Sequence, residues 1–199
     1  MSDNPNTRLS QTTLGRLPDT VAVPRYDRGQ VGQAIVHIGL GGFHRSHQAL
    51  YLDDLFNEQG PQPWGICGVG LLPQDRAMAE ALLPQDLLYT LIERDQRVEK
   101  ARVIGAVRQY LHAPSDPEAI LGQMSDPAIR IVSLTVTEGG YYLNQGSGEL
   151  EAEHPNLRHD LEHAEEAPVS VYGYLAEALA RRRRAGTPPF SVLSCDNLQ

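Results

Sequence analysis

A glycine-rich stretch, residues 39–45, has the residue types of a phosphate-binding turn. It reads GLGGFHR and lies between an apolar run and an amphipathic segment. Glycines in such a turn let backbone N–H groups approach a pyrophosphate, and the N-terminus of the following helix adds partial positive charge. The usual fingerprint is G-x-G-x-x-G, and His44 stands here at the sixth position, so the helix must pack on the sheet differently. The stretch predicts a dinucleotide site; the alternative is a glycine-rich turn that binds nothing.

Asp75 is the candidate partner for the ribose of such a dinucleotide. Dinucleotide folds place an acid at the end of the second strand, where it accepts hydrogen bonds from the ribose hydroxyls. Asp75 lies further along the chain than the usual gap of about 20 residues, which the long first helix and the loop 60–63 account for. The alternative is an aspartate that stabilises a helix N-terminus, and the two roles are compatible.

Two more polar segments, residues 137–141 and 196–197, follow runs that we interpret as strands. Open α/β sheets bind ligands outside the carboxyl ends of their strands, so we expect these segments at the same edge as the glycine turn and Asp75. The Glu138 carboxyl group is able to move protons, and the Asn197 amide is able to polarise a carbonyl oxygen. Taken alone, each residue is more often a turn residue or a helix cap.

Alternating apolar runs and amphipathic segments supply the elements that position these residues. We interpret residues 35–40 as a continuous apolar strand, buried on both faces at the centre of a parallel sheet. Strands that alternate with helices indicate an α/β fold with a mostly parallel sheet. The other predicted strands are 64–69, 88–92, 103–109, 129–136 and 190–195, and the predicted helices are 43–57, 75–83, 115–124 and a segment that Ser170 caps and Gly186 ends.

The composition limits the partners of this chain. Its 199 residues, 41% of them hydrophobic, suffice for one domain or one domain with an extension. The 17 Lys+Arg and 25 Asp+Glu give a formal charge of −8, which repels nucleic acid and anionic lipid. No apolar run reaches the roughly 18 residues that span a bilayer, and residues 1–11 lack a signal-peptide core. We therefore expect a soluble, cytoplasmic protein without nucleic-acid or membrane partners.

Three groups of reactive or charged side chains are interpreted as structural. His159 and His163 have helical zinc-ligand spacing, but no convincing third ligand accompanies them, so we predict no metal site. The arginine run 181–184 predicts a solvated helix end, where cations favour the helix dipole. Cys67 and Cys195 lie in apolar runs and predict two buried thiols.

Three motifs together resemble the mannitol dehydrogenase family, the long-chain polyol dehydrogenases. They are G-x-G-x-F-x-R-x-H over residues 39–47, T-E-G-G-Y over 137–141 and S-C-D-N-L over 194–198. The resemblance covers the chain from about residue 14 to the end. It implies a Rossmann-like, doubly wound α/β fold with a dinucleotide-binding domain at 31–199. The mixed polar and apolar composition of residues 1–30 separately predicts an N-terminal extension. The helical C-terminal substrate domain of the family is expected to be absent.

The resemblance also implies roles for individual residues. Glu138 would serve proton transfer, Asn197 would help form the oxyanion site, and no metal would take part. NAD is the implied cofactor. NADP stays open, because Gln74 stands where mannitol dehydrogenases of this family often have an acid and the cation Arg76 follows Asp75. The residues implied to bind the cofactor are Ile38, Gly39, Leu40, Gly41, Gly42, Phe43, His44, Arg45 and Asp75.

The function that these roles imply is hydride transfer between a sugar alcohol, or a related sugar acid, and nicotinamide. Oxidation of mannitol to fructose is the first choice, with fructuronate reduction or pentitol oxidation as alternatives. The catalytic lysine of the family belongs to its C-terminal domain, so we expect these 199 residues alone to turn over no polyol. The competing hypothesis is a nucleotide-binding module without chemistry of its own.

Overall fold

Short apolar runs bounded by glycine, proline or polar residues form the strands of this protein. The computed structural model describes residues 8–95, 99–144 and 146–196. In chain order the described strands are β1 Val21–Ala22, β2 Gln33–Ile38, β3 Gly65–Gly70, β4 Tyr89–Arg94, β5 Glu99–Ile104, β6 Val107–His112, β7 Ile131–Leu134 and β8 Ser191–Ser194.

Two helix starts follow the capping pattern of the sequence. The Asp116 carboxylate accepts a hydrogen bond from the Ala119 N–H near the start of the helix predicted over 115–124, and the Ser170 hydroxyl accepts one from the Gly173 N–H, which confirms the predicted cap at Ser170. Within the described part of the chain, no helix is both long enough and apolar enough to cross a membrane. The helices are α1 Gly42–Ser46, α2 Gln48–Gln59, α3 Arg76–Leu82, α4 Pro117–Ser125, α5 Thr137–Gly140, α6 Pro155–Glu162 and α7 Val171–Arg184.

The main sheet has five parallel strands in the order β6-β3-β2-β7-β8. From β2 the chain builds outward to β3 and β6, then returns to the other side of β2 to add β7 and β8. This is the strand order of a Rossmann fold, and its direction of growth reverses between β2 and β7. The predicted Rossmann-like α/β fold is therefore confirmed, with β2 at the centre of the sheet.

Helices cover both faces of this sheet. Val36 and Ile38 of β2 lie in one apolar core with residues of α4 and α7. Ile35 lies in a second core on the opposite face, with Ala49 and Phe56 of α2. Because neighbouring strand residues point to opposite faces, β2 must be apolar on both, as a strand of a doubly wound sheet is.

A second, smaller sheet joins the N-terminal segment to the domain. It has three strands in the order β1-β5-β4, with β1 parallel and β4 antiparallel to β5. Residues 103–109, predicted as one strand, are the end of β5 and the start of β6, which belong to different sheets. The buried Arg28 guanidinium holds this corner by donating to the carbonyls of Gly105 and Val107. A domain boundary at residue 30 stays a prediction.

Two further predictions about elements, and one about the burial of a thiol, are wrong. The helix predicted over 43–57 is interrupted at His47, whose φ of −125° and ψ of −87° are not helical. The Ser46 hydroxyl there donates to the Gly42 and Phe43 carbonyls, which competes with the helical pattern. The strand predicted over 129–136 is shortened to β7. Cys195 is only partly buried, because it follows β8, the exposed outer strand of the sheet, whereas Cys67 in β3 is buried.

Arg182 contradicts the prediction of a solvated arginine run. Its side chain is 2% exposed and lies 5.4 Å from the centre of the Phe190 ring. The guanidinium donates to four backbone carbonyls, those of Met124, Asp126, Ile129 and Pro188, at 2.7 to 3.1 Å. These carbonyls lie at the end of α4 and in the loops before β7 and β8, so Arg182 connects α7 to both.

Replacing Arg182 with methionine is expected to lower the free energy of unfolding by about 3 kcal/mol or more, because several buried carbonyls lose a charged donor. Urea unfolding measures the change. Arg183→Met is the matched control, since the exposed neighbouring arginine is expected to change stability by about 0.5 kcal/mol or less. Equal unfolding midpoints for the two variants would contradict a bonding role for Arg182.

Candidate functional site

An open crevice lies at the carboxyl ends of β2 and β7, where the strand order reverses. Its volume is about 290 Å³. The glycine turn after β2, residues 135–137 after β7, and Asp75 beyond β3 all contribute to its lining. Reversal of strand order opens a cleft between the two loops that leave the sheet in opposite directions, which is where ligands of such sheets bind. The sequence correctly placed these segments at one edge.

Gly39 is required by the backbone of the turn. Its φ is +93°, a region that side chains disfavour, and a Cβ there would collide with the Thr135 carbonyl oxygen. The Gly39 N–H donates to the Val69 carbonyl, and the Gly41 N–H turns back to donate to the Gly39 carbonyl at 2.6 Å. The chain therefore turns tightly between β3 and β7, which only glycine allows.

Gly41 and Gly42 are not required by the protein itself. A Cβ on Gly41 would lie 3.8 Å from its nearest neighbour, the Gly39 oxygen, and a Cβ on Gly42 would meet nothing within 4 Å. Gly41 has φ −78° and ψ −175°, a conformation open to any residue, and it lines the crevice. The missing side chains leave the backbone accessible from solvent.

Arg45 fixes the turn from its helical side. Its Nη1 donates to the Leu40 carbonyl at 2.7 Å, and its guanidinium lies 5.9 Å from the centre of the Tyr89 ring. The Tyr89 hydroxyl in turn donates to the Arg45 carbonyl. The Arg45 side chain thus holds the backbone of the turn. Among its sequence neighbours, Ile38 and Leu40 line the crevice, whereas Phe43 is exposed and stacks on His47.

His44 replaces the third glycine of the usual fingerprint by packing inward. Its ring is buried and stacks on that of His37, with centroids 3.4 Å apart. Burial lowers the pKa of His44 to about 2, with contributions from His37 and Arg45, and burial lowers the pKa of His37 to about 4. Both rings are neutral at pH 7. Any contact of His44 with a ligand in the crevice would come from its backbone. The sequence did not predict a buried, hydrogen-bonded histidine at His37, which lies inside the run interpreted as apolar.

Asp75 lies beside the crevice and caps the turn that leads to it. Its Oδ2 accepts a hydrogen bond from the Leu72 N–H at 2.9 Å, and its carbonyl accepts one from the Tyr110 hydroxyl. Gly70, at the end of β3, permits this approach, because a Cβ there would overlap Asp75 and Tyr110. The alternative prediction, an aspartate that only stabilises a helix N-terminus, describes Asp75 in part. Its carboxylate caps a turn, and the residue also lines the crevice.

Asp196 joins the ends of β7 and β8. Its carboxylate accepts hydrogen bonds from the Val136 N–H, the Thr137 N–H and the Tyr141 hydroxyl at 2.8 to 3.3 Å. Thr137 has φ +61°, which a β-branched residue rarely adopts, and these bonds hold it there. Glu138 follows in α5, directly after this strained residue. Asn197, the other predicted catalytic residue, lies outside the described residues.

His159 and His163 lie on or next to α6, far from the glycine turn in sequence. Their ring centroids are 5.4 Å apart, and both imidazoles approach the Glu166 carboxylate. His163, Glu165 and Glu166 are exposed, with potential ligand atoms within 4.8 Å of one another. Exposed groups of this kind pair with each other and with water, and the prediction of no metal site stays a prediction.

Comparisons with known proteins agree with this geometry. The chain matches the mannitol dehydrogenase Rossmann domain over residues 33–199. It is 52% identical over 181 residues to a mannitol 2-dehydrogenase of Aspergillus clavatus and 48% identical over 180 residues to one of Pyricularia oryzae; each match covers 90% of this chain and 36% of the relative. The chain therefore spans about a third of the length of these relatives.

Solved structures give the same result. The ternary complex of Pseudomonas fluorescens mannitol 2-dehydrogenase with NAD and D-mannitol superimposes with a TM-score of 0.92 at 44% identity, covering 96% of this chain and 39% of that one. A substrate-free D-sorbitol dehydrogenase gives a TM-score of 0.88 at 43% identity, covering 96% and 40%. With its Rossmann strand order and glycine turn, this chain belongs to the mannitol dehydrogenase family.

Proposed function

We propose that this chain is the NAD-binding part of a polyol dehydrogenase that transfers hydride between mannitol and nicotinamide. The observation that carries the proposal is Gly41: it lines the crevice, and the protein itself leaves room for a side chain there. A glycine that the fold does not need is explained by a ligand that approaches the backbone closely. NAD in the matched Pseudomonas fluorescens structure supports the same cofactor here.

The glycine turn would hold the pyrophosphate through backbone amides. Gly41 and Gly42 carry no side chains to obstruct it, and the Leu40 carbonyl accepts a hydrogen bond from the Arg45 side chain. The net charge of −8 makes these amides important, because an anionic ligand gains nothing from the overall field. Ile38 and Leu40 would add apolar contact, while Phe43 and His44 contribute through their backbone.

Asp75 would receive the adenosine ribose. One carboxylate oxygen accepts from the Leu72 N–H, which fixes the orientation of the group. The second oxygen, which has no hydrogen-bond donor in the part of the chain that the structure describes, would accept from ribose hydroxyls. A carboxylate at this position repels a 2′-phosphate, so NAD is favoured over NADP. Arg76, whose charge would favour NADP, is engaged with Glu80 at 3.0 Å.

Bound NAD would supply the chemistry by accepting hydride from the alcohol carbon. Glu138 is proposed to move a proton at its carboxylate, and Asn197 is proposed to polarise the oxygen of the substrate through its amide. The hydrogen bonds that the Asp196 carboxylate accepts support this arrangement, because they fix the backbone of residues 136 and 137 immediately before Glu138.

Replacing Gly41 with valine is expected to weaken NADH binding about tenfold or more while the unfolding temperature stays nearly constant, because the new side chain occupies the crevice and not the protein core. Fluorescence titration with NADH and thermal unfolding provide the two measurements. Gly39→Val is the matched comparison: it should lower stability strongly, since its φ is +93°. Unchanged NADH affinity in Gly41→Val would refute the site.

Asp75→Ala is expected to reduce the preference for NADH over NADPH about tenfold, because it removes the group that bonds the ribose and repels the 2′-phosphate. Titrating Asp75→Ala, the control variant and the unchanged protein with NADH and with NADPH gives the ratio of the two affinities for each protein. Asp116→Ala removes an equal charge at the start of α4, outside the crevice, and should leave the ratio as it was. If the ratio is the same in Asp75→Ala, another group recognises the ribose.

Mannitol is the proposed substrate because both fungal relatives are mannitol 2-dehydrogenases, and each is about 50% identical in sequence to this chain. A family-length protein carrying this domain is expected to oxidise mannitol and reduce fructose faster than it reduces fructuronate. Initial rates with each substrate and NAD(H) measure this preference. Faster turnover of sorbitol would favour the D-sorbitol dehydrogenase relative as the better guide.

A further inference from the structure

The glycine turn rests on a buried polar network centred on His37. This residue is 0% exposed and lies in β2 on the side covered by α1, where its ring stacks on His44. Its Nδ1 is 2.7 Å from the Ser133 hydroxyl, and its Nε2 is 2.9 Å from the Thr135 hydroxyl and 3.2 Å from the Gly39 carbonyl. His37 thus lies beside both strand ends that border the crevice.

The hydrogen-bond chemistry gives this network a direction. The Thr135 hydroxyl donates to the Gly39 carbonyl at 2.6 Å, so its one proton is committed and its oxygen must accept from His37. His37 therefore carries its proton on Nε2, in agreement with the short approach of this nitrogen to the Gly39 oxygen. The unprotonated Nδ1 then accepts from the Ser133 hydroxyl, whose 2.7 Å contact with this nitrogen is much shorter than its 3.4 Å contact with the Gln48 Oε1. Ser133 thus donates to His37, His37 donates to Thr135, and Thr135 donates to the Gly39 carbonyl.

The end of this network determines where the next backbone amide points. In a trans peptide the C=O and the N–H point in opposite directions. The Gly39 carbonyl accepts from the Thr135 hydroxyl, lies 3.2 Å from His37 Nε2 and also accepts from the Gly41 N–H. The contacts with Thr135 and His37 hold this carbonyl toward the sheet, so the Leu40 N–H of the same peptide is directed away from the sheet. Among the described residues, no hydrogen bond occupies this N–H, and Leu40 lines the crevice.

We propose that His37 is a positioning residue for the dinucleotide: through Thr135 it fixes the Gly39–Leu40 peptide so that the Leu40 N–H is available to a phosphate oxygen. This inference rests on the proposed NAD-binding function. His37 itself touches no cofactor. Its contribution is to orient the Thr135 hydroxyl before the ligand arrives, which removes the cost of ordering the peptide during binding.

Packing alone does not require a histidine at this position. The neighbouring β2 residues that point to the helices are aliphatic, and burial disfavours a polar ring unless its nitrogens are bonded. Both ring nitrogens of His37 are bonded, and both partners are hydroxyl groups of β7 or the residue after it. The neutral ring that burial enforces is the form that this arrangement needs, since a charged imidazolium has no nitrogen to accept from Ser133.

A double-mutant cycle on NADH binding tests the proposal. Thr135→Val and His37→Leu are each expected to weaken NADH binding about tenfold, and the double variant is also expected to be weaker by about tenfold rather than a hundredfold, because both changes break one network. Thr135→Ser retains the hydroxyl and should restore affinity to within about threefold. Asp116→Ala, which removes a helix cap outside the crevice, should lower stability without changing NADH affinity.

Nitrogen NMR of the histidine ring gives a second measurement that needs no cofactor and no variant of His37. The Nε2–H tautomer is expected in the unchanged protein, and the Nδ1–H tautomer would overturn the proposal. Additive losses in the cycle, or variants that bind NADH as the unchanged protein does, would also overturn it while leaving the proposed function intact. A lack of saturable NADH binding by the unchanged protein would instead contradict the proposed function itself.

Discussion

The parallel pairing of β2 with β3 on one side and β7 on the other is the constraint on which the crevice depends. It brings two chain segments, the glycine turn and residues 135–137, to the same edge of the sheet, where their connections diverge. Gly39 lies where these segments meet. Its N–H donates a hydrogen bond to the Val69 carbonyl of β3, and its carbonyl accepts one from the Thr135 hydroxyl. The turn is therefore shaped by tertiary contacts on both sides, and the helix that follows only continues from it.

The polar groups around the turn serve its shape more than they serve a ligand directly. Arg45 donates a hydrogen bond to the Leu40 carbonyl, and the Thr135 hydroxyl donates one to the Gly39 carbonyl. The Asp75 carboxylate accepts a hydrogen bond from the Leu72 N–H. Each bond fixes one peptide of the turn or of the loop before Asp75, and the Leu40 N–H, on the peptide whose carbonyl Thr135 holds, has no hydrogen-bond partner among the described residues. In a chain with a net charge of −8, the proposed recognition of a dianionic pyrophosphate would rely on fixed backbone dipoles and would need no uncompensated cations at the crevice.

The sequence was sufficient for the α/β class and for the edge that carries the site, because glycine turns and apolar runs are local signals, whereas the doubly wound arrangement was implied only by the resemblance of three motifs to a family. It was insufficient where a residue's environment depends on distant partners. His37 lies in a run of apolar residues, and only the hydroxyls of Ser133 and Thr135, on another strand, make its burial favourable. Arg182 resembles its three exposed or half-exposed neighbours in sequence, and the carbonyls that hold it belong to two separate loops. The division of residues 103–109 between two sheets likewise depends on Arg28, far earlier in the chain.

The bond between the Thr135 hydroxyl and the Gly39 carbonyl also has a consequence for biosynthesis. The two residues are 96 positions apart. A ribosome adds about 5 to 20 residues per second, so β2 and the glycines after it are made roughly 5 to 20 seconds before Thr135. During that interval β2 has no partner on the side of β7, and its apolar residues are exposed to other nascent chains and to chaperones. The glycine turn is thus translated early in this domain but can take its final shape only after Thr135 has been made.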